Sequence, residues 1–144
     1  MTQSNGGLDP WIEVDRFRSR PDGTSEFVLA RIPWAHVVPG VDPNGGVVRL
    51  SEAFPSPNVK LVQLPGGLDQ PPHPAPEPQF VIVLSGRIEV ATTGDKRVKS
   101  WGAGEFFIAS DHDGIGHSTR TIGGPVTLMF VPLGSTNLEA WTAR

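Results

Sequence analysis

One stretch in the middle of the chain, residues 67–86, constrains the fold more than any other. It begins and ends at a glycine, carries one histidine among several prolines, and contains a run of five apolar residues at 80–84. Alternate residues of a strand face opposite sides of a sheet, and this run is apolar at every position. Such a run is typical of a strand covered on both faces. Six prolines stiffen the segment 65–78, which predicts a loop that holds His73 in place at little entropic cost.

The rest of the chain consists of short strand candidates separated by turns. Glycine and proline are both abundant, with 17 and 15 of the 144 residues. Turn-forming residues recur at 21–23, 42–46, 85–86 and 93–96. The segments between them form about ten short strand candidates, and none has the period of an amphipathic helix. The sequence therefore predicts an all-β protein of one domain.

The composition excludes several kinds of chemistry. The chain has no cysteine and no tyrosine, which removes disulfides, thiolate nucleophiles and phenol groups. A net charge of −3 without basic clusters argues against a nucleic-acid partner. No apolar run is long enough to span a bilayer, and residues 1–10 lack the pattern of a secretory signal. We therefore expect a cytoplasmic protein with neither a nucleic-acid nor a membrane partner.

The spacing within residues 67–86 resembles the first motif of the cupin superfamily. In that motif a glycine, two histidines, a glutamate and a second glycine follow one another at fixed intervals. The corresponding positions here hold, in order, Gly67, His73, Ala75, Gln79 and Gly86. The two glycines and the first histidine agree with the motif, whereas alanine replaces the second histidine and glutamine replaces the glutamate.

A second segment, 104–121, resembles the other cupin motif. Gly104 and Glu105 precede an apolar run, and His117 falls at the position of the last ligand, after an intervening segment two residues longer than usual. The resemblance implies a jelly-roll barrel, also called a double-stranded β-helix. It divides the chain into an N-terminal arm with an outer strand, a barrel and a C-terminal tail, at 1–20, 21–133 and 134–144.

The resemblance also implies where a metal would bind. A transition metal usually takes three or four nitrogen or oxygen ligands, with carboxylate charge to balance its own. Ala75 supplies no donor, and the side-chain amide of Gln79 is neutral. We therefore expect either no cofactor or a weakly bound divalent ion (iron, manganese, nickel or zinc) held by His73, Gln79 and His117.

The polar segment before His117 leaves one question open. Asp111, His112 and Asp113 lie in the longer part of the second motif and could supply a replacement ligand. Adjacent charged residues between two strands are more typical of a solvated loop, so we expect these acids to be exposed. The sequence does not determine whether one of them points inward. Glu77, which lies between two prolines, is also expected to be exposed.

Three functions are compatible with these residues. We favour a metal-independent or weakly metal-binding enzyme for a small organic substrate, as in cupin lyases, dehydratases, isomerases and cyclases. His73 would act as general base, His117 as acid or second base, and Gln79 would orient the substrate. The alternatives are a metal-dependent dioxygenase and a non-catalytic protein that binds a small ligand. The resemblance further implies a homodimer, in which residues 11–17 could add a strand to a partner's sheet.

Overall fold

Twelve strands and one short 3₁₀ helix make up the described part of the chain, residues 9–40 and 42–143 of a computed structural model. The first six strands are β1 (Trp11–Ser19), β2 (Ser25–Pro33), β3 (His36–Val38), β4 (Val48–Leu50), β5 (Lys60–Leu64) and β6 (Asp69–His73). The remaining strands are β7 (Gln79–Ser85), β8 (Arg87–Thr92), β9 (Val98–Gly102), β10 (Phe106–Ser110), β11 (His117–Thr121) and β12 (Val126–Pro132). The helix η1 is Leu138–Trp141. Residues 1–8 of the predicted N-terminal arm lie outside the described residues.

The strands form two main sheets whose order defines the fold. The six-stranded sheet has the order β2-β1-β10-β7-β12-β5, the four-stranded sheet has the order β6-β11-β8-β9, and β3 pairs with β4. The strands from β5 to β12 therefore interleave between two facing sheets, as in a jelly roll built from two Greek keys. The predicted fold class, an all-β jelly-roll barrel of the cupin type, is confirmed.

Strand β7 explains why one run of the sequence is apolar at both parities. Val81 and Val83 point into the barrel and join the interior cluster between the two sheets. Phe80 belongs to a second cluster on the outer face of the six-stranded sheet, and Ile82 packs against that cluster. Both faces of β7 are therefore covered, as its composition predicts.

The proline-rich segment 65–78 differs from its prediction as a loop, because it contains strand β6. This strand forms one edge of the four-stranded sheet and pairs with β11. The register between the two strands shifts opposite Pro71 and Pro72, between the paired positions of His117 and Thr119. Proline cannot donate a ladder hydrogen bond, so an irregular edge strand is where a sheet tolerates it.

Residues 11–17 lie within a sheet of their own chain. Strand β1 pairs with β2 along its whole length and with β10 at Arg16, Phe17 and Arg18. The suggested addition of this segment to a partner's sheet finds no support in this arrangement. Homodimerisation itself stays a prediction.

The C-terminal tail folds as a short helical turn against the barrel. Leu138 of η1 is buried in the outer cluster, and Trp141 packs against it. Glu139 forms ion pairs with Arg16 at 3.0 Å and with Arg18 at 3.1 Å. Among the described residues, no helix is both long and apolar enough to cross a membrane.

Candidate functional site

A cavity of about 230 Å³ lies inside the barrel, between the two sheets. All three residues that the sequence analysis proposes as catalytic, His73, Gln79 and His117, line it. Most of the remaining wall is apolar and includes Val62, Val81, Ile88, Val90, Phe107 and Leu128. The cavity is therefore a largely apolar space that is open to solvent on one side and carries a few polar groups, which is the usual form of a small-molecule site.

The two histidines meet because neighbouring strands place them opposite each other. His73 ends β6, His117 begins β11, and the two residues are paired in the antiparallel register. Directly opposed side chains on such strands lie close together, and here the ring centroids are 4.6 Å apart. Gln79 approaches from the start of β7 in the other sheet and is 4% exposed.

Asp111 is a site residue whose position differs from the exposed, solvated loop that the sequence predicts. Its side chain is fully buried. One carboxylate oxygen, Oδ2, lies 2.7 Å from Nδ1 of His117, and Oδ1 accepts a hydrogen bond of 3.2 Å from the backbone N–H of Ala75. The other polar residues of the segment, His112 and Asp113, are exposed as expected.

The hydrogen bonds of the two histidines fix their tautomers. Nδ1 of His117 contacts the Asp111 carboxylate, and Nδ1 of His73 lies 3.0 Å from the carbonyl oxygen of Pro71. Both partners can only accept, so each Nδ1 carries the proton and each neutral ring has its lone pair on Nε2. Neither Nε2 makes a hydrogen bond within residues 9–40 and 42–143. Two basic nitrogen atoms are thus available to a bound molecule.

Packing holds the His117 ring in this orientation. The ring centroids of Phe17 and His117 are 4.4 Å apart, and those of Phe17 and Phe107 are 5.6 Å apart. The preceding residue, Gly116, has a positive φ of 82°. A Cβ atom there would collide with the carbonyl oxygen of His73. Glycine at this position therefore allows β6 and β11 to approach closely enough for the two histidines to meet.

The donors around the cavity do not fit a tightly held divalent metal. The wall offers two imidazoles, the two amides of Gln70 and Gln79 and the hydroxyl of Thr119, with no carboxylate among the lining residues that the structure describes. Both oxygens of Asp111 are already engaged, by His117 and by Ala75. The described part of the chain contains no group of three or more histidine, cysteine, aspartate or glutamate side chains arranged to hold a metal. Weak metal binding stays a prediction.

No family model and no curated protein matches the chain. Among solved structures, the cupin domain of Cnp3 from Schizosaccharomyces pombe has 14% identity and a TM-score of 0.41, covering 90% of this chain and 88% of that chain. NovW, a 4-keto-6-deoxy sugar epimerase from the novobiocin biosynthetic gene cluster of Streptomyces spheroides, has 16% identity and a TM-score of 0.41, covering 91% and 74%.

The strand order and the cavity themselves define the class of protein. It is a cupin-type jelly-roll barrel with a partly open cavity between its sheets. Inside the barrel of this chain, a buried aspartate–histidine pair lies beside a second histidine.

Proposed function

We propose that the chain is an enzyme that moves protons on a small organic substrate inside the barrel, without a tightly bound metal. The observation that carries this proposal is the buried hydrogen bond between Asp111 and His117, next to the ring of His73. Removal of a proton from a carbon next to a carbonyl group is a step that many isomerases, dehydratases, lyases and cyclases share. A positioned imidazole is well suited to that step.

His117 is the better general base of the two histidines. When its Nε2 accepts a proton, the ring becomes an imidazolium, and the Asp111 carboxylate stabilises that charge while holding the ring in place. Nδ1 of His73 has only a neutral carbonyl partner. This assignment reverses the roles expected from the sequence, where His73 was the base.

His73 completes the proton transfer as the acid or second base. Two imidazolium rings with centroids 4.6 Å apart would repel each other, so the pair holds at most one positive charge during the reaction. The proton that Nε2 of His117 takes from one atom of the substrate therefore reaches another atom by way of Nε2 of His73, which accepts it and then donates it, so that both rings start and end neutral. Such an exchange of protons between two positions is what an isomerisation or an elimination requires.

Gln79 supplies a neutral hydrogen-bond donor at the opposite wall. Its buried side chain makes no hydrogen bond to another described residue, and it lines the cavity. The amide N–H₂ group can donate to the carbonyl oxygen of a substrate. A donor in this position stabilises the negative charge that develops on that oxygen as a neighbouring C–H bond breaks.

Proton exchange tests this function without knowledge of the natural substrate. A panel of small ketones and aldehydes is incubated with the protein in D₂O, and loss of the α-proton signal is followed by NMR. We expect catalysed exchange that survives chelation, and a loss of about 100-fold or more in the His117→Asn variant. His112→Asn alters an exposed histidine of the same segment and serves as the matched control. Absence of exchange across the panel would contradict the proposal.

A metal-dependent dioxygenase is the second candidate. The observation that favours it is that each histidine donates Nδ1–H to an oxygen acceptor, as metal-binding histidines usually do. Elemental analysis of protein purified without added metal or chelator distinguishes the two. One equivalent of a transition metal, with activity lost on chelation and restored by that metal, would replace the first proposal.

Ligand binding without any reaction would instead support the non-catalytic alternative.

A cytoplasmic location and a homodimeric state remain predictions alongside this function.

A further inference from the structure

The wall of the cavity carries no permanent charge. Among the described residues that line it there is no aspartate, glutamate, lysine or arginine. Lys60 shares the strand parity of Val62 and Leu64, which line the cavity, but Lys60 itself is exposed and does not contribute to the wall. An anion held inside would lose its hydration without gaining a permanent countercharge, which is strongly unfavourable.

The polar groups of the wall are gathered mainly along one pair of strands. His73 pairs with His117, and Gln70 pairs with Thr119, in the register between β6 and β11. All four residues line the cavity, and Gln79 is the one further polar side chain of the wall among the described residues. The remaining strands present aliphatic and aromatic groups. A complementary ligand therefore has one polar edge and an apolar body.

The volume limits the size of that body. An apolar cavity of about 150 Å³ is large enough to hold benzene. The present cavity, at about 230 Å³, has room for one ring with a short substituent. A second fused ring would exceed this space unless it extended through the opening.

We propose that this site takes a neutral molecule with a single aromatic or alicyclic ring, carrying one carbonyl or hydroxyl group that faces the β6–β11 strand pair. The reactive role of that polar group rests on the proposed function. The charge and size of the molecule follow from the cavity itself, so they can be tested by binding alone.

A matched set of three ligands tests the inference. Acetophenone and benzoate have the same number of non-hydrogen atoms but differ in charge, and 2-acetylnaphthalene keeps the ketone while adding a ring. Binding is measured by calorimetry or ligand-observed NMR at about pH 8.5. We expect acetophenone to bind at least about tenfold more tightly than either of the others.

Two variants show whether the ligand occupies this cavity. Val62→Trp places a large side chain on a half-buried position of the wall and should weaken acetophenone binding by about tenfold or more. Val98→Trp makes the same change at an exposed position of β9 and should leave binding unaltered. Thermal unfolding of both variants verifies that they are folded. Retention of binding in folded Val62→Trp would overturn the assignment to this cavity.

The outcomes separate this inference from the proposed function. If benzoate binds as tightly as acetophenone, the inference that the ligand is neutral is wrong. If 2-acetylnaphthalene binds more tightly than acetophenone, the inference that the ligand has a single ring is wrong. Failure of all three to bind would overturn the proposed ligand class as a whole. Acetophenone binding without proton exchange on any carbonyl compound would contradict the proposed function and leave the ligand class standing. Proton exchange confined to anionic substrates would contradict the ligand class and leave the proposed function standing.

Discussion

Asp111 and His117 form the contact on which the chemistry of the site depends. Asp111→Asn replaces the carboxylate with a neutral amide of nearly the same shape, so the fold should be preserved. The imidazolium of His117 would lose its countercharge, and the ring could adopt the wrong tautomer. We expect proton exchange to fall by about 100-fold or more, with a shift of the His117 ring signals in ¹⁵N NMR. Unchanged exchange in a folded Asp111→Asn variant would exclude this pair from catalysis.

The position of Asp111 could have been predicted from strand alternation. Phe107 and Ala109 point into the barrel from β10, and Asp111 lies two residues further along on the same parity. The two polar residues that follow it favour a loop and conceal this alternation. Its pairing with His117 could not be predicted, because the turn between them, 112–116, sets the approach of the two side chains and has no simple spacing rule.

Substitution of Ala75 and Gln79 tests whether these two residues are the reason that the site lacks a strong set of metal ligands. Both residues line the cavity beside His73 and His117. The double variant Ala75→His, Gln79→Glu adds an imidazole and a carboxylate, which completes a set of four donors suited to a divalent transition metal. We expect at least about 100-fold tighter binding of Ni²⁺ or Zn²⁺ than in the unaltered chain, measured by calorimetry. The same double change combined with His117→Ala should lose most of this gain.

At the scale of strands, the approach of β6 to β11 creates the site. Gly116→Ala would introduce a Cβ atom against the backbone of His73, at a residue whose φ is 82°. We expect a loss of about 3 kcal/mol or more in the free energy of unfolding, measured with urea, together with loss of the site. Gly104→Ala is the matched control. Its φ is also positive, at 85°, but nothing lies within 4 Å of the added atom. That variant should lose only about 1–2 kcal/mol.

Two strands, β3 and β6, are missing from the strand candidates of the sequence, and β6 differs clearly in composition from a well-predicted strand such as β7. Strand β7 carries a run of apolar residues between turn residues, which indicates a buried strand directly. Strand β6 has the sequence DQPPH, which has low strand propensity at almost every position. It forms because it lies at an edge, where proline is tolerated and β11 supplies the pairing partner. A long-range contact of this kind is not visible in local sequence.

The helical turn η1 is held to the barrel by Glu139. Burial alone would raise the pKa of Glu139, but the hydrogen bond and charge of Arg16, with the charge of Arg18, outweigh burial and lower it below its usual 4.5. A carboxylate with a lowered pKa stabilises the fold above its unfolded pKa and loses that effect as the pH falls through the folded value.

Glu139→Gln should therefore destabilise the protein in a pH-dependent way. Because the side chain of Glu139 is 62% exposed, solvent screens the ion pairs, and we expect a loss of about 0.5–1 kcal/mol at neutral pH. The difference should shrink as the pH falls below about 4.5, as measured by urea unfolding across the acid range. Glu77→Gln changes an exposed acid of the proline-rich segment and is the control. A constant difference at all pH values would show that packing, and not charge, holds the turn.

At the scale of the whole molecule, the free edges of the two sheets are where a second copy could bind. Strand β5 forms one edge of the six-stranded sheet and exposes Leu61, which is 70% accessible, next to the exposed Val59. An apolar edge strand with unpaired backbone groups favours pairing with another chain. We therefore expect the homodimer to form through β5.

Sedimentation at micromolar concentration tests this prediction. The unaltered chain should sediment as a dimer, and Leu61→Lys should shift it to a monomer, because a lysine at the edge opposes sheet pairing. Val98→Lys makes the equivalent change at an exposed residue of β9, the edge of the other sheet, and should leave the dimer intact. A monomer in the unaltered chain would reject dimerisation, whereas a dimer disrupted by Val98→Lys and not by Leu61→Lys would move the interface to the four-stranded sheet.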